Sequence, residues 1–470
     1  MTRKDNLMSI LITGATGLIG KKLVIKLIES GYEDIRVLTR NPDKARKTLP
    51  FPISFYHWDI KNKTIQEDAL KDIQTIFHLA GENIAASKWN NSQKESIIQS
   101  RTQSMNLLLD NIQESNRSIR FVTASAVGYY GDRKEEVLDE NSLEGNGFLS
   151  EVCQAWENSL LNSKRLNIEK HIVRIGIVLS TEGGALTKML PAFSMGVAGK
   201  LGHGQQYMSW IHIDDLINIF CSFLTGQRSK QVYNAVAPSP ITNLSFTKAL
   251  GKALKRPTFF SVPAPVLKLI MGEMTDLLLQ SQRVLPKNLL SENYEYNYPT
   301  LQHALEKLLA HKKKGEKTLL TYQWVPTTKN NVFSFFSNEH NLEKITPPSL
   351  SFKILNKNTD KIKAGTIINY KLKLYGIPFY WKTHISKFEE NIEFIDEQKK
   401  GPYKKWVHTH SFLDYKSGTL IKDSIVYQIP FGILGNMFTS RFIKKDLNKI
   451  FGHRQSIIKE YFNKNINHSF

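Results

Sequence analysis

The stretch LMSILITGATGLIGKKLVIKLIESG, residues 7–31, constrains the fold more than any other. LMSILIT is a short apolar run of strand type, and Leu18, Ile19, Leu23, Leu27 and Ile28 recur after it at helical spacing. Gly14, Gly17 and Gly20 separate the two with the spacing G-x-x-G-x-x-G. Glycines so placed allow a tight turn, let backbone approach a pyrophosphate, and let the helix pack closely on the strand. A helix beginning there presents free N–H groups and a positive dipole end to phosphate. A second strand-type run, Ile35 to Thr39, follows the helix. The expectation is an α/β unit with a doubly wound parallel sheet of the Rossmann type that binds a dinucleotide, with Gly14, Thr16, Gly17, Leu18, Ile19 and Gly20 at its phosphates.

The end of the second strand separates the two nicotinamide cofactors, because an acidic residue there binds the ribose 2′-hydroxyl and an arginine accommodates a 2′-phosphate. The chain reads VLTRNPDKAR, so Arg40, with Thr39 as a second donor, favours NADP(H) over NAD(H). Arg40 as a plain loop residue is the alternative.

At 470 residues the chain has room for two to four domains, and two is the working count. Its 63 basic and 43 acidic residues leave a net charge of +20. The lysines are scattered, the densest run is HKKKGEK at 311–317, and no zinc-finger, RNA-binding or helix-turn-helix signature accompanies them. A solvated basic surface is therefore expected, and a nucleic-acid partner is not. Only Cys153 and Cys221 are present, without C-x-x-C spacing, which fits a reducing compartment, the cytoplasm by default. No run reaches the roughly eighteen continuous apolar residues of a membrane span, so no integral membrane contact is expected.

LITGATGLIG, HWDI (57–60), HLAGENIA (78–85), TASAVGYYGD (123–132), VRIGIVLS (173–180) and SWIHIDDL (209–216) together resemble the extended short-chain dehydrogenase/reductase superfamily. GENIA with the following KWN, FLSEVCQAWE, GGALTKMLPAF and GEMTDLLLQSQRVLPKNLL (272–290) narrow the resemblance to its atypical epimerase-like branch, with the C-terminal segment known as DUF1731. The resemblance covers residues 8 to about 305. It implies Asp59 beside the adenine, His78 to Gly81 (with Leu79 and Ala80) passing under the cofactor, and a small substrate lobe at 240–300.

Most of that superfamily polarises a substrate carbonyl with a serine and moves a proton with a tyrosine whose pKa a lysine four residues later lowers. Ser125 fits the serine, with Ala126 as the alternative alignment, but the tyrosine and lysine positions fall near Leu149 and Cys153. Tyr130, Tyr129 and Glu151 are the candidate replacements, each with an ordinary alternative: pocket wall or core for the tyrosines, a solvated helix residue for Glu151. Cys153 reads as a small buried hydrophobe. Arg101 reads as an anion holder or a surface residue. The reading that follows is an oxidoreductase or epimerase-like enzyme acting on a carbonyl or alcohol. The alternative is a non-catalytic, nucleotide-responsive binding protein.

After Pro299 the pattern changes. Residues 1–305 form the expected first domain, 306–320 a basic linker, and 321–470 a second domain. NVFSFFSNEHNLEKIT reads as helical turns. TIINYKLKLYG, FYWKTHISKFE, KKWVHTHSFLDY and GTLIKDSIVYQIP read as strands, and IKKDLNKIFGHRQSIIKEYF as a closing helix. That order suits an α+β helix-grip domain. TPPSLSF, GPYKKWVHTHSF and VYQIPFGILGN resemble the START and polyketide-cyclase-like (SRPBCC) superfamily, which implies a cavity for an apolar ligand. IPFGILGNMF reads as a cavity lip or core, with membrane contact as the lesser alternative. Trp406, His408 and His410 alternate along one strand and share a side. As metal ligands the histidines need a third partner that the sequence does not locate, so polar cavity wall or plain barrel wall is expected and no metal. Oligomeric state is not legible.

Overall fold

The computed structural model describes residues 8–113, 117–313, 315–374, 376–430 and 432–466, and divides into two units at Leu309/Ala310. The N-terminal MTRKDNL lies outside the described residues.

The first unit is built on a sheet whose strands are β1 (Ile10–Thr13), β2 (Ile35–Thr39), β3 (Ser54–Asp59), β4 (Thr64–Ile65), β5 (Thr75–His78), β6 (Ile119–Ala126), β7 (Ile168–Ile175) and β8 (Val232–Ala235). Their order is β8-β7-β6-β5-β1-β2-β3-β4. All neighbours are parallel except β3 and β4. Every residue of β1 and β5 is buried, as a parallel sheet covered on both faces requires. The strand order reverses between β1 and β5, the switch point at which such sheets open a crevice for ligands.

Helix α1 (Leu18–Glu29) begins directly after the glycine turn and buries Leu23, Val24, Leu27 and Ile28 as one stripe. Gly31, at φ +85°, ends it. Helix α2 (Asn91–Asn111) is capped by the Asn90 side chain. Helix α3 (Phe148–Leu161) carries the FLSEVCQAWE stretch and buries Leu149, Val152, Cys153, Trp156, Glu157 and Leu160. The segment expected to form a substrate lobe contains the helices Asn243–Leu254, Ala264–Met271 and Lys287–Ser291. Its short strand Arg283–Val284 pairs with Val137–Leu138, just beyond the turn that follows Ser125.

The stretch read as a linker is structured. Helix α4 (Leu301–Lys313) packs Leu301, Ala304, Leu305 and Leu309 into a core with Trp210 and Phe246, and the next strand, β9 (Glu316–Val325), starts before residue 321. A run of like charges does not exclude a helix.

The second unit follows β9 with α5 (Lys329–Phe336) and α6 (Glu339–Ile345). Then come β10 (Lys353–Lys357), β11 (Ile367–Leu374), β12 (Ile377–Glu389), β13 (Glu393–Lys400), β14 (Lys405–Tyr415), β15 (Gly418–Gln428) and the helix α7 (Gly432–Ile466). The sheet is antiparallel throughout, in the order β9-β15-β14-β13-β12-β11-β10. Along β14 the buried residues alternate as Trp406, His408, His410 and Phe412, the period of a half-buried strand. Helix α7 closes on the sheet with Leu447, Phe451, Ile458 and Phe462 buried. The IPFGILGNMF stretch runs into α7, and its side chains from residue 431 onward lie outside the described residues. Among the described residues no helix is long and apolar enough to cross a membrane.

Candidate functional site

The glycine turn sits at the switch point. Gly14 has φ +68°, and a Cβ there would lie 2.7 Å from the backbone carbonyl of Leu79. A Cβ on Gly20 would lie 2.4 Å from the Gly14 oxygen, so the helix can approach β1 this closely only with glycine. Thr16 and Gly17 are exposed, Leu18 and Ile19 half-buried. The first turn of α1 has neither a side-chain cap nor an acidic residue, which leaves its N–H groups and dipole for an anion. On the other side of the crevice Leu79 and Ala80 are half-buried and Gly81 exposed. The residues present therefore fit a dinucleotide.

The backbone at Leu79 and Ala80 is fixed from below. Both N–H groups donate to Thr13 Oγ1, at 3.1 Å each. With both lone pairs used, the Thr13 hydroxyl donates to His78 Nδ1, 2.9 Å away. Ser104 Oγ donates to the Arg101 carbonyl and so accepts from His78 Nε2, at 3.2 Å. His78 is thus the neutral Nε2–H tautomer. Burial, reinforced by the charge of Arg101, pushes its pKa down to about 3. This histidine is a strut under the cofactor strand, not an acid.

Arg40 is exposed and Thr39 half-buried at the end of β2, with no acidic residue at either position. Thr39 Oγ1 accepts from Asn41 N at 3.3 Å. Asp59, expected beside the adenine, ends β3 and accepts from the backbone of Lys61 and Asn62 and from the Asn62 side chain, so its carboxylate shapes its own turn.

Ser125, near the end of β6, is 3% exposed, and its hydroxyl donates to Glu157 Oε1 at 2.6 Å. Glu157 comes from α3 and is gripped by Arg174 of β7 through Nε at 2.9 Å and Nη2 at 2.7 Å. The third guanidinium nitrogen, Nη1, donates to the Tyr130 hydroxyl at 2.9 Å, which itself donates to Asn234 Oδ1 at 2.8 Å. Arg174 also lies 3.4 Å from the centroid of the Tyr129 ring. The site is a chain of hydrogen bonds running from Ser125 through Glu157 and Arg174 into the core.

This geometry reassigns two expected catalytic residues. Tyr130 is fully buried, burial pushes its hydroxyl up to about 12, and that hydroxyl is taken up by Arg174 and Asn234. Glu151 is exposed in the first turn of α3, where a carboxylate suits the helix dipole, and it takes no part in the Ser125 chain. Glu157, two helical turns further on, is the carboxylate that meets Ser125. It shares a face with Leu149 and Cys153 at four-residue spacing, which is the one sequence signal pointing to it.

The position expected for the tyrosine is filled by Leu149, in an apolar cluster with Trp89, Ile97 and Met274 of the small lobe. Cys153, where the lysine would stand, is buried, its thiol pushed up to about 11 by that burial. A cation is nevertheless close by. Arg101 of α2 is 9% exposed and stacks 4.9 Å over the Trp156 ring. It donates to the carbonyls of Ile97 and Glu82 and leaves Nε buried without a partner. Its guanidinium carbon would lie 3.1 Å from a Cβ on Gly81, so it stands directly behind the cofactor strand.

In the second unit a cavity of about 200 Å³ is lined by aromatic and aliphatic side chains, among them Phe335, Tyr370, Trp381, Trp406 and Phe451. Asp396, His408, His410 and Arg454 form a polar patch on its wall. Burial pulls His408 down to about 4, whereas the bonds from His410 to Asp396 and Asp423 outweigh burial and hold His410 above its usual value. The two histidines were legible in the sequence; Asp396, Asp423 and Arg454 were not.

Residues 10–235 match the NAD dependent epimerase/dehydratase family, and residues 262–308 match a domain of unknown function, DUF1731. The chain is 36% identical over 311 residues to the chloroplastic epimerase family protein SDR39U1 homolog of Arabidopsis thaliana, covering 66% of this chain and 88% of that protein. It is 32% identical to human epimerase family protein SDR39U1, covering 64% of this chain and all of the human one. A crystal structure of human SDR39U1 (isoform 2) with NADPH superposes with a TM-score of 0.58 at 30% identity, over 64% of this chain and 99% of that chain. With the parallel sheet, the glycine turn at its switch point and these matches in agreement, the chain belongs to the NAD dependent epimerase/dehydratase family.

Proposed function

We propose that the first unit is an NADP(H)-dependent oxidoreductase or epimerase-like enzyme acting on a carbonyl or alcohol, with Ser125 and Glu157 as its proton path. The observation that carries this reading is the 2.6 Å hydrogen bond from Ser125 to a buried carboxylate fixed by Arg174. When bound, the nicotinamide supplies or takes up a hydride at the substrate carbon. As an alcohol is oxidised its O–H proton passes to Ser125 Oγ, and the serine proton moves to Glu157 Oε1; reduction runs the same path backwards. Such positioned proton transfer contributes about 10²- to 10⁴-fold. Ser125→Ala and Glu157→Gln are each expected to lower turnover by at least about 10²-fold with NADPH affinity unchanged, once a carbonyl library screened for NADPH oxidation has found a substrate. Turnover that survives both substitutions removes this proton path.

A second reading has its own support. Leu149 and Cys153 replace the usual tyrosine and lysine, and Ser125 is only 3% exposed, as suits a nucleotide-responsive binding protein without turnover. Tight NADPH binding with no turnover across the library would favour it.

The choice of NADP(H) rests on Arg40 and on the NADPH in the human relative's structure. Arg40→Ala is expected to weaken NADPH binding about tenfold, a loss of about 1.4 kcal/mol, and leave NADH binding unchanged. Equal NADPH and NADH affinities in the unsubstituted protein would refute the assignment; titration of the bound cofactor's fluorescence measures both.

The second unit has the element order of a helix-grip domain of the SRPBCC superfamily: a strand, two short helices, six further antiparallel strands and a long helix. Its apolar cavity exceeds the roughly 150 Å³ that suffices to bind benzene, which supports a small apolar ligand. With Cys153 and Cys221 free, a reducing, cytoplasmic setting is proposed for the whole chain.

A further inference from the structure

We infer that the cavity of the second unit binds a divalent first-row transition-metal ion through Asp396, His408 and His410. The inference stands on this cluster alone and is independent of the cofactor reading of the first unit.

The three side chains converge because of strand register. His408 and His410 point to one side of β14; Asp396 of β13 pairs opposite His408, and Asp423 of β15 pairs opposite His410. Each histidine is 4% exposed. One oxygen, Asp423 Oδ1, lies 2.9 Å from His408 Nε2 and 2.8 Å from His410 Nδ1. His408 Nε2 donates to it, while His410 Nδ1 also lies 3.2 Å from Arg454 Nη2. The nitrogens that would hold an ion are the other two, His408 Nδ1 and His410 Nε2, the latter exchanging its hydrogen bond to Asp396 Oδ2 for the metal. These two face a single oxygen, Asp396 Oδ2, at 3.5 Å and 2.9 Å.

Three potential ligand atoms thus come together, all within 4.8 Å of one another. Bonds of about 2.0–2.2 Å to a common ion place ligand atoms about 3.0–3.5 Å apart, close to the two spacings from Asp396 Oδ2. Asp423 completes the pattern from behind. A metal-bound histidine ordinarily donates its other N–H to a carboxylate, which fixes the tautomer and the ring. Here Asp423 accepts from His408 Nε2 and lies 2.8 Å from His410 Nδ1, and it is neutralised by Arg454 Nη2 at 3.3 Å.

Two consequences follow from the surroundings. Asp396, His408 and His410 all line the cavity, so the coordination sphere is open on the ligand side, as in catalytic rather than structural sites. With neutral imidazoles the two carboxylates and Arg454 leave one net negative charge, and a dication turns this into one net positive charge. The open position then suits an anionic oxygen: hydroxide, or a carboxylate or enolate on a molecule in the apolar cavity. Two histidines and a carboxylate suit zinc, iron(II), cobalt(II) or manganese(II) better than magnesium or calcium, which prefer all-oxygen sites.

The test uses the full-length, tag-free chain, stripped with chelator, dialysed and titrated with Co(II). One equivalent is expected to bind with micromolar or tighter affinity, to give the visible absorption of a low-symmetry site of four or five ligands, and to be displaced by one equivalent of Zn(II). Asp396→Asn and His408→Ala are each expected to weaken binding at least about 100-fold. Asp423→Asn, which touches no metal, should weaken it about 10- to 100-fold and keep the band shape. Circular dichroism melts identify which variants fold. Absence of the absorption in the unsubstituted chain overturns the inference whatever the variants do. So does Co(II) binding of unchanged affinity in a folded His408→Ala, His410→Ala double variant.

Discussion

Glu157→Ala is expected to destabilise the first unit by about 3–5 kcal/mol, as breaking a buried ion pair from one side does. The side chains of Glu157 and Arg174 are 3% and 5% exposed, so removing the carboxylate strands a guanidinium away from water. Its remaining contacts would be the Tyr130 hydroxyl and the faces of two tyrosine rings. Ser125 would lose its acceptor at the same time. Glu157→Gln keeps the volume and one acceptor oxygen and is expected to cost about 1–3 kcal/mol. Glu157→Leu combined with Arg174→Met removes both charges and should recover most of the loss. Hydrogen exchange at the amides of β6 and β7 measures this unit separately from the other. A Glu157→Ala change below about 1 kcal/mol would mean that the pair is solvated and that its hold on Ser125 is weak.

Gly14→Val carries the second large effect, here on cofactor affinity. At φ +68° a β-branched side chain is strained, and its Cβ would overlap the Leu79 carbonyl at 2.7 Å and Ala80 N at 2.9 Å. Relief requires β1 and the 79–80 backbone to separate, and both are tied to Thr13. The phosphate-facing turn and the floor of the crevice would then be displaced together. NADPH affinity should fall at least about 100-fold, which is about 2.7 kcal/mol. Gly17→Ala is the internal comparison: its φ of −76° is ordinary and its Cβ would meet the Gly14 oxygen at 3.3 Å, a contact that needs only a slight shift. Calorimetric titration of folded variants distinguishes the two. Equal losses at both positions would mean that side-chain bulk near the phosphates, not backbone geometry, governs binding.

How much of this was legible in the sequence depended on whether an interaction is local. The glycine turn was, since strand, turn and helix are consecutive and each glycine answers a backbone requirement of that one stretch. Tyr130 misled because it is five residues from Ser125: the turn Val127–Tyr130 carries its ring into the core, away from the crevice. Glu157 was passed over because its four-residue spacing from Cys153 shows a shared face, whereas the partners on that face, Ser125 and Arg174, come from β6 and β7. The same holds for Asp396 and Asp423, which reach the histidines only through hairpin register. The basic run at 311–317 concealed a helix end and a strand start, because charge alone does not record backbone pairing.

The sheet of the second unit places its first strand beside its last. Glu316 of β9 pairs with Gln428 of β15, about 110 residues later in the chain. At a synthesis rate of about 5–20 residues per second, β9 leaves the ribosome roughly 5–20 s before its partner exists. Throughout that interval TLLTYQWV is an unpaired, β-prone segment with hydrogen-bonding edges on both sides. The first unit, whose eight-stranded sheet lies before residue 236, can be complete by then. The nascent chain therefore carries a finished domain while its next strand waits, and that strand is where a chaperone would be needed.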